Sequence, residues 1–169
     1  SPTSGGFFSS TSTIRYIEKS TGNVYEYSYF NNNSRKITNT TIPKIHDSYW
    51  LNKDTFIARY LSDDNISIKS LLGFIVNAGE SGSVSTTFLP DGVKNVSING
   101  DSAFYITEDF FGSKGYIYSS KTNKSLLILD TKISELVPLW SNNKPYVYTK
   151  PSNSIPGTLF NIASGVLIE

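Results

Sequence analysis

Short apolar segments recur along this chain at a nearly constant interval, and this repeat constrains the fold more than any other feature. The segments begin at Ile14, Phe56, Phe104 and Tyr146, so they recur about every 42 to 48 residues. Internal periods of this length indicate that one small structural unit is used several times. The repeat therefore predicts four similar units in place of one irregular domain.

The turns beside these segments also recur. A short polar stretch precedes three of them, at residues 52–54, 99–101 and 142–144, and it contains Asn, Asp, Gly or Lys. Asn, Asp and Gly tolerate the left-handed backbone that tight hairpin turns require. Two further apolar segments and another turn follow each of the four, so each unit is predicted to contain four short strands in a meander.

Four-stranded units at this period are typical of β-propeller blades, so we predict an all-β protein with about four blades. The predicted units are residues 7–44, 45–93, 94–136 and 137–169, after a Gly-rich and Ser-rich linker at residues 1–6. The alternative is one continuous β-sandwich, although a sandwich need not repeat its turns. Composition agrees with both, since 2 Trp, 11 Tyr and 10 Phe suit strands and only about four Ala are present.

Several function classes are excluded or disfavoured by what the sequence lacks. It has no Cys, which excludes disulfides and thiol chemistry. A net charge of +1 argues against nucleic acid as a partner bound by bulk charge. No apolar stretch is long enough to span a membrane. The chain has no Met, even at position 1, so we expect a processed protein or a piece of a larger one. Four blades predict a closed four-bladed ring, a dimer of open arcs or a piece of a larger ring, and an open arc would self-associate through its exposed end blades.

The search for chemistry gives no catalytic, cofactor-binding or metal-ligating residue to which we commit. His46 is the single histidine, so a His-rich metal site is excluded, and a structural role is favoured for it. Residues 63–65 offer oxygen ligands but lack the spacing of a calcium loop, so a hairpin turn is expected. Glu108, Asp109 and Glu135 are candidate acids for a glycosidase pair, although no motif links them.

The candidate contact surfaces are polar loops. Trp50 and Trp140 occupy equivalent repeat positions, so we predict that they pack in the core and do not bind sugars. Loops at residues 77–83, 109–113 and 151–156 are the predicted contact regions because function concentrates on loops. The residues chosen from these loops and their flanks are Asn77, Glu80, Ser81, Asp109, Lys114 and Asn153.

Residues 50–58 and 140–148 resemble the WD-repeat-like bacterial propeller repeat of the TolB type, and residues 98–105 look like a degraded copy. The family pattern is Trp-Ser-Pro-Asp-Gly-Lys followed by a strand, and this chain has Asn in place of the Pro. The wider context, including residues 14–26 and 149–160, is similar to uncharacterised bacterial envelope proteins. This resemblance implies an extracytoplasmic propeller, periplasmic, secreted or anchored through a preceding segment, with no established activity.

We therefore expect a non-catalytic propeller module that binds or scaffolds a protein of the cell envelope, without a cofactor. The alternative is a fragment of a glycan-active or hydrolytic enzyme whose site is completed by blades outside this chain. Paired acids that converge in a channel would support the enzyme. Polar loops without such a pair would support the binding module.

Overall fold

A computed structural model describes residues 2–79, 81–163 and 166–168, and within these ranges the chain forms sixteen strands and no helix. The strands make four separate four-stranded sheets. In each sheet every strand pairs antiparallel with the next one along the chain. The chain divides into two compact units, Ser1–Leu89 and Pro90–Glu169, and each unit contains two sheets.

Unit 1 contains the first two sheets. The first is formed by β1 (Thr3–Phe8), β2 (Thr13–Glu18), β3 (Val24–Ser28) and β4 (Asn33–Lys36). The second is formed by β5 (Ile45–Asn52), β6 (Thr55–Leu61), β7 (Ile68–Val76) and β8 (Ser83–Phe88).

Unit 2 contains the other two sheets. The third sheet is formed by β9 (Val93–Asn99), β10 (Ser102–Asp109), β11 (Gly112–Ser119) and β12 (Lys124–Thr131). The fourth is formed by β13 (Leu136–Ser141), β14 (Lys144–Thr149), β15 (Leu159–Ala163) and β16 (Val166–Ile168).

The predicted all-β, propeller-like organisation is confirmed. The four apolar segments that define the repeat lie in β2, β6, β10 and β14, the second strand of each sheet. The sandwich alternative is wrong, because the described strands form four sequential meanders and not two sheets. The first sheet begins earlier than expected, since β1 starts at Thr3, within the segment predicted as a linker.

The hairpin turns use the residues predicted for them. Asn65, Asn142 and Asn143 adopt positive φ angles of 56°, 49° and 60°, and Gly100 adopts 52°. An L-residue with a larger side chain rarely adopts this backbone, whereas Asn and Gly do so at small cost. The polar composition of the turns therefore fixes where each strand ends.

The core of unit 1 is shared by its two sheets, and β6 of the second sheet is its most buried strand. Phe56, Ile57 and Ala58 of β6 are each 0% exposed, which explains why this strand is apolar on both faces. Trp50 is 6% exposed, and its ring centroid lies 5.1 Å from that of Phe56 and 6.4 Å from that of Phe7. Trp50 therefore joins the two sheets of the unit from within the core, as predicted.

The core of unit 2 follows the same plan. Phe104 and Ile106 of β10 pack with Leu129, Leu136 and Val147, and all five are buried. Trp140 contacts Phe104 with ring centroids 6.1 Å apart. The indole Nε1 of Trp140 donates a hydrogen bond of 3.2 Å to the carbonyl of Ser97 in β9. Trp140 thus fixes the fourth sheet against the third.

Candidate functional site

A cleft opens at one end of unit 2, at the open ends of the β9–β10 and β13–β14 hairpins. Strands β9 and β13 begin at this end, and their partners β10 and β14 finish there, because each pair is antiparallel. These positions are strand ends outside the core, so their side chains can be polar. The cleft has a volume of about 360 Å³, and we name it the charged cleft after its lining residues Lys94, Asn95, Glu108, Glu135, Val137 and Lys150.

Two hydrogen bonds connect the walls of the charged cleft. The Glu108 carboxylate accepts a hydrogen bond of 2.7 Å from the backbone N–H of Glu135. The Asn95 side-chain amide donates one of 3.2 Å to the carbonyl of Leu136. Glu135 itself has a φ angle of 58°, an unusual conformation for a residue of this size. These bonds hold the start of β13 against β9 and β10, so the cleft is preformed.

The lining of the charged cleft contains groups of both signs. Lys94 and Lys150 are exposed, as is Glu135, while Glu108 is half-buried. The side chains of Glu135 and Lys150 make no hydrogen bond or ion pair with any other part of the chain that the structure describes. Small-molecule pockets are lined mainly by apolar groups, with few polar ones. This cleft suits a ligand that presents both acidic and basic groups, as a polypeptide does.

An exposed aromatic pair projects from the same hairpin as Glu108. Phe110 and Phe111 form the turn between β10 and β11, with 96% and 82% of their surfaces exposed. Their rings meet edge to face with centroids 5.7 Å apart. The backbone N–H of Phe111 donates a hydrogen bond of 2.7 Å to the Asp109 carboxylate, which orders the turn. We call Phe110 and Phe111 the Phe tip.

Core packing does not explain why two phenylalanines occur in the Phe tip, because both side chains are exposed. An exposed side chain of this size forgoes about 2 kcal/mol of burial free energy, and turns usually contain small polar residues. The charges beside it are mixed, because Lys114 of β11 lies 3.9 Å from Asp130 of β12. The tip is therefore an apolar projection among balanced charges, the composition of many protein-binding surfaces.

The residues predicted as contacts fall on three loops. Asp109 and Lys114 lie on the β10–β11 hairpin, beside the Phe tip. Asn153 is exposed in the connection between β14 and β15. Asn77 and Ser81 lie in the β7–β8 connection of unit 1, and Glu80 lies outside the described residues. Among the described members of this set, Asp109 and Lys114 share one hairpin, Asn77 and Ser81 share one connection, and Asn153 lies in a third loop.

The β7–β8 connection is tied to the first sheet. The N–H of Gly79 donates to the carbonyl of Ile37 at 3.0 Å, and the N–H of Asn39 donates to the carbonyl of Gly82 at 2.8 Å. These bonds connect the end of one meander to the neighbouring one. They support a structural role for this loop, which was one of the two interpretations open from the sequence.

The surroundings of His46 favour a structural role over a catalytic one. Its imidazole is 58% exposed, and Nδ1 lies 2.9 Å from the Asp47 carboxylate. Ser48 is buried and bonds to Ser4, so it offers no nucleophile to the imidazole. In the described part of the chain, no group of three His, Cys, Asp or Glu residues could hold a metal ion.

The 63–65 segment is a hairpin turn, as predicted. The Asp64 carboxylate accepts hydrogen bonds from the hydroxyls of Ser67 and Ser62 and from the backbone N–H groups of Ile66 and Ser67. These bonds, led by the one from the Ser67 hydroxyl, hold the pKa of Asp64 well below its usual range. Its oxygens are therefore occupied by the turn.

The sequence predicts the loop at residues 109–113 as a contact region but does not single out Phe110 and Phe111 within it, and it does not indicate Lys94, Asn95 or Lys150. One signal was available for the first two: two adjacent phenylalanines stand in a segment that must turn, between Asp109 and Gly112. The other three residues lie just inside or beyond strand ends. Nothing in the local sequence shows that β9, β10, β13 and β14 bring them into one cleft.

The sheets and their order define an all-β protein with a propeller-like fold. A similar fold occurs in the acylaminoacyl peptidase of Pyrococcus horikoshii, with a TM-score of 0.61 and 12% sequence identity. The likeness covers 98% of this chain and 31% of the peptidase chain, so this chain spans under a third of that protein. At this identity the likeness shows the fold alone.

No protein-family model and no curated protein matches the chain. No match therefore supports a TolB-type or WD-repeat identity of the repeats. No helix that could span a membrane occurs among the described residues.

Proposed function

We propose that this chain is a non-catalytic binding module whose β10–β11 hairpin and adjoining charged cleft dock a polypeptide partner. The observation that supports this most is the Phe tip, two adjacent aromatic rings more than four-fifths exposed at the end of an ordered hairpin. Aromatic side chains dominate the binding energy of protein interfaces when a partner buries them. The two rings would supply the anchor, and the charged cleft would supply the specificity.

The partner's chemistry follows from the two parts of the surface. The Phe tip requires an apolar recess on the partner. The charged cleft requires acidic groups that reach Lys94 or Lys150 and a basic group that reaches Glu135. A nucleic acid would meet the carboxylates Glu108 and Glu135, which repel phosphates. An anionic lipid surface would meet the same carboxylates beside the tip, so a folded protein or a peptide segment fits best.

The proposal includes the location expected from the repeats. The TolB-type, WD-repeat-like resemblance supports a module outside the cytoplasm, acting as a scaffold at the bacterial envelope. The propeller-like fold is compatible with this location and with others.

The test is quantitative capture of partners from extract of the source organism with three purified forms of the chain. The tip variant Phe110→Ser/Phe111→Ser should lose a specific polypeptide that the wild type retains. The matched control is Phe88→Ser, which removes another phenylalanine that is 70% exposed, from the edge strand β8. The same polypeptide should also be lost by Lys150→Glu. If the tip variant and the control retain identical proteins, the proposal is wrong.

A second candidate is a hydrolytic or glycan-active assembly to which this chain contributes. Two observations favour it: Glu108 and Glu135 line one cleft, and the similar fold occurs in a peptidase. The Glu108 carboxylate is, however, engaged by the backbone of Glu135. Turnover of chromogenic glycosides or peptide anilides that disappears in Glu135→Gln, with partner capture unchanged, would favour this candidate over the binding module.

A further inference from the structure

Polar side chains line one face of the first sheet across β2, β3 and β4. The pairing aligns Thr13, Ser28 and Asn33 in one row across β2, β3 and β4. It aligns Arg15, Glu26 and Arg35 in the next row on the same face. A cleft of about 330 Å³ opens over these rows, and we name it the polar cleft after its lining residues Thr13, Glu26, Ser28, Asn31, Asn33 and Arg35.

The charges of the polar cleft neutralise each other. Arg35 donates to one Glu26 carboxylate oxygen at 2.8 and 3.3 Å, and Arg15 donates to the other at 3.1 Å. Arg15 also pairs with Asp54. Two guanidinium groups therefore face two carboxylates, which leaves no uncompensated charge to select an ion.

Three other polar side chains of the cleft are available to a ligand. Within the described residues, the side chains of Ser28, Asn31 and Asn33 have no hydrogen-bond partner. A carboxamide offers two donors and an acceptor, and a hydroxyl offers both roles. Neighbouring hydroxyl groups of a sugar present the matching mixture of donors and acceptors at short spacing.

An exposed aromatic ring lies in the turn that borders the polar cleft. Phe30 immediately precedes Asn31, and 87% of its surface is exposed. Tyr29 does not contribute, because its ring packs edge to face on Tyr27, whose side chain alternates with those of Glu26 and Ser28 and so lies on the opposite face of β3. An exposed aromatic ring provides a flat apolar surface on which the C–H face of a pyranose can stack. A site of open amides, hydroxyls and neutralised charge whose bordering turn carries such a ring is suited to a polyhydroxyl ligand.

We propose that the polar cleft binds a neutral saccharide, through Asn31, Asn33 and Ser28 with an aromatic contact from Phe30. This site lies in unit 1 and is independent of the polypeptide-binding surface proposed for unit 2. No chemical step on the sugar is involved.

The test is titration of isotopically labelled protein with maltose, cellobiose and N,N′-diacetylchitobiose, followed through the side-chain amide signals of Asn31 and Asn33. At least one sugar should shift both signals in a saturable manner. The double variant Asn31→Ala/Asn33→Ala should weaken binding about tenfold or more, since several hydrogen bonds are lost. The matched control Asn153→Ala, an exposed asparagine of unit 2, should bind as the wild type does.

Three outcomes would overturn the proposal. One is the absence of saturable shifts with all three sugars. The second is equal weakening by the double variant and the control. The third is stronger binding of glucuronate than of any neutral sugar, which would identify an anion site. Phe30→Ala supplies an independent variant, because its exposed side chain can be removed without loss of core packing; it should also weaken binding.

Discussion

Gly73 shows how a single residue controls the packing of unit 1. It lies opposite Phe56 in the pairing of β6 with β7, and the Phe56 ring lies against its Cα. A Cβ atom at position 73 would collide with three ring carbons of Phe56, which is 0% exposed and cannot move outward. We expect Gly73→Ala to lower the free energy of unfolding by about 1–3 kcal/mol, measured by urea denaturation.

The matched control for this substitution is Gly6→Ala. Gly6 also lies in a strand, but a Cβ atom there would have its nearest neighbour at 3.6 Å, an ordinary contact. This variant should change the free energy of unfolding by less than about 0.5 kcal/mol. Equal destabilisation by the two variants would show that the contact with Phe56 is not the cause.

Besides Asp64, two carboxylates that form ion pairs make the stability depend on pH. Burial raises the pKa of Asp47, but hydrogen bonds and charge from Arg59 and His46 more than offset this and hold the pKa below its usual value. Burial likewise raises the pKa of Glu26, and Arg35 and Arg15 again reverse the effect and lower it. A carboxyl group whose pKa is lower when folded stabilises the protein above its unfolded pKa and loses that contribution as pH falls through the folded pKa.

We therefore expect the free energy of unfolding to fall steadily below about pH 4.5, where these groups begin to protonate in the unfolded chain. Asp47→Asn should make this fall shallower and lower the stability at pH 7, because it removes the titrating partner of Arg59. Chemical denaturation at a series of pH values measures both effects. A wild-type stability that is constant from pH 6 to pH 3 would contradict this account.

The chemistry of a residue predicts its backbone conformation better than its exposure. Asn65, Asn142 and Gly100 are predictable as left-handed turn residues because that conformation is a local property of the backbone. The exposure of Phe110 is not predictable in the same way, since hydrophobic character alone favours burial. The sequence places this residue in a turn, but only the structure shows that no other element covers it.

Arg15 connects two structural elements of unit 1. Its guanidinium donates from Nη1 to the Lys53 carbonyl at 2.6 Å and to the Asp54 carboxylate at 2.5 Å, both in the β5–β6 turn. Its Nε donates to Glu26 in β3. The side chains of Arg15 and Glu26 are 11% and 12% exposed, so a truncation of Arg15 would break a mostly buried ion pair. We expect Arg15→Ala to lower the free energy of unfolding by about 3 kcal/mol, measured by urea denaturation.

Arg35 provides the control, since it binds the same carboxylate from the outside. Its side chain is 68% exposed, and ion pairs at exposed positions contribute about 0–1 kcal/mol. Arg35→Ala should therefore have a small effect on stability. If both arginine variants lower the free energy of unfolding by the same amount, the hydrogen bonds from Arg15 to the β5–β6 turn do not stabilise the unit as proposed.

At the level of elements, the sequence predicts strands better than their edges. The second strands β6 and β10 are recognisable because both of their faces are buried, which makes their centres continuously apolar. The second strands β2 and β14 are mostly half-buried, and they are recognisable by their spacing in the repeat. The start of β1 is not recognisable, because Gly5 and Gly6 resemble a linker by composition. In the structure Gly5 has a φ angle of 56° and lies against Ser48 and Trp50, so it is a bulge that only glycine fits.

At the level of the whole molecule, each unit has its own buried core and its own candidate site. The polar cleft belongs to the first sheet, and the charged cleft and the Phe tip belong to the third and fourth sheets. The repeat predicts the meanders because every unit obeys the same turn and burial rules. The sites differ between units and break the repeat, so the repeat could not predict them.

The central claim is that the Phe tip and the charged cleft form one polypeptide-binding surface. The most direct measurement is photo-crosslinking with benzoylphenylalanine placed at position 111 or 135, with position 88 of β8 as the control. We expect one polypeptide to be crosslinked from both 111 and 135 and not from 88. The claim is contradicted if positions 111 and 135 capture lipid, capture no discrete polypeptide, or capture the same proteins as position 88.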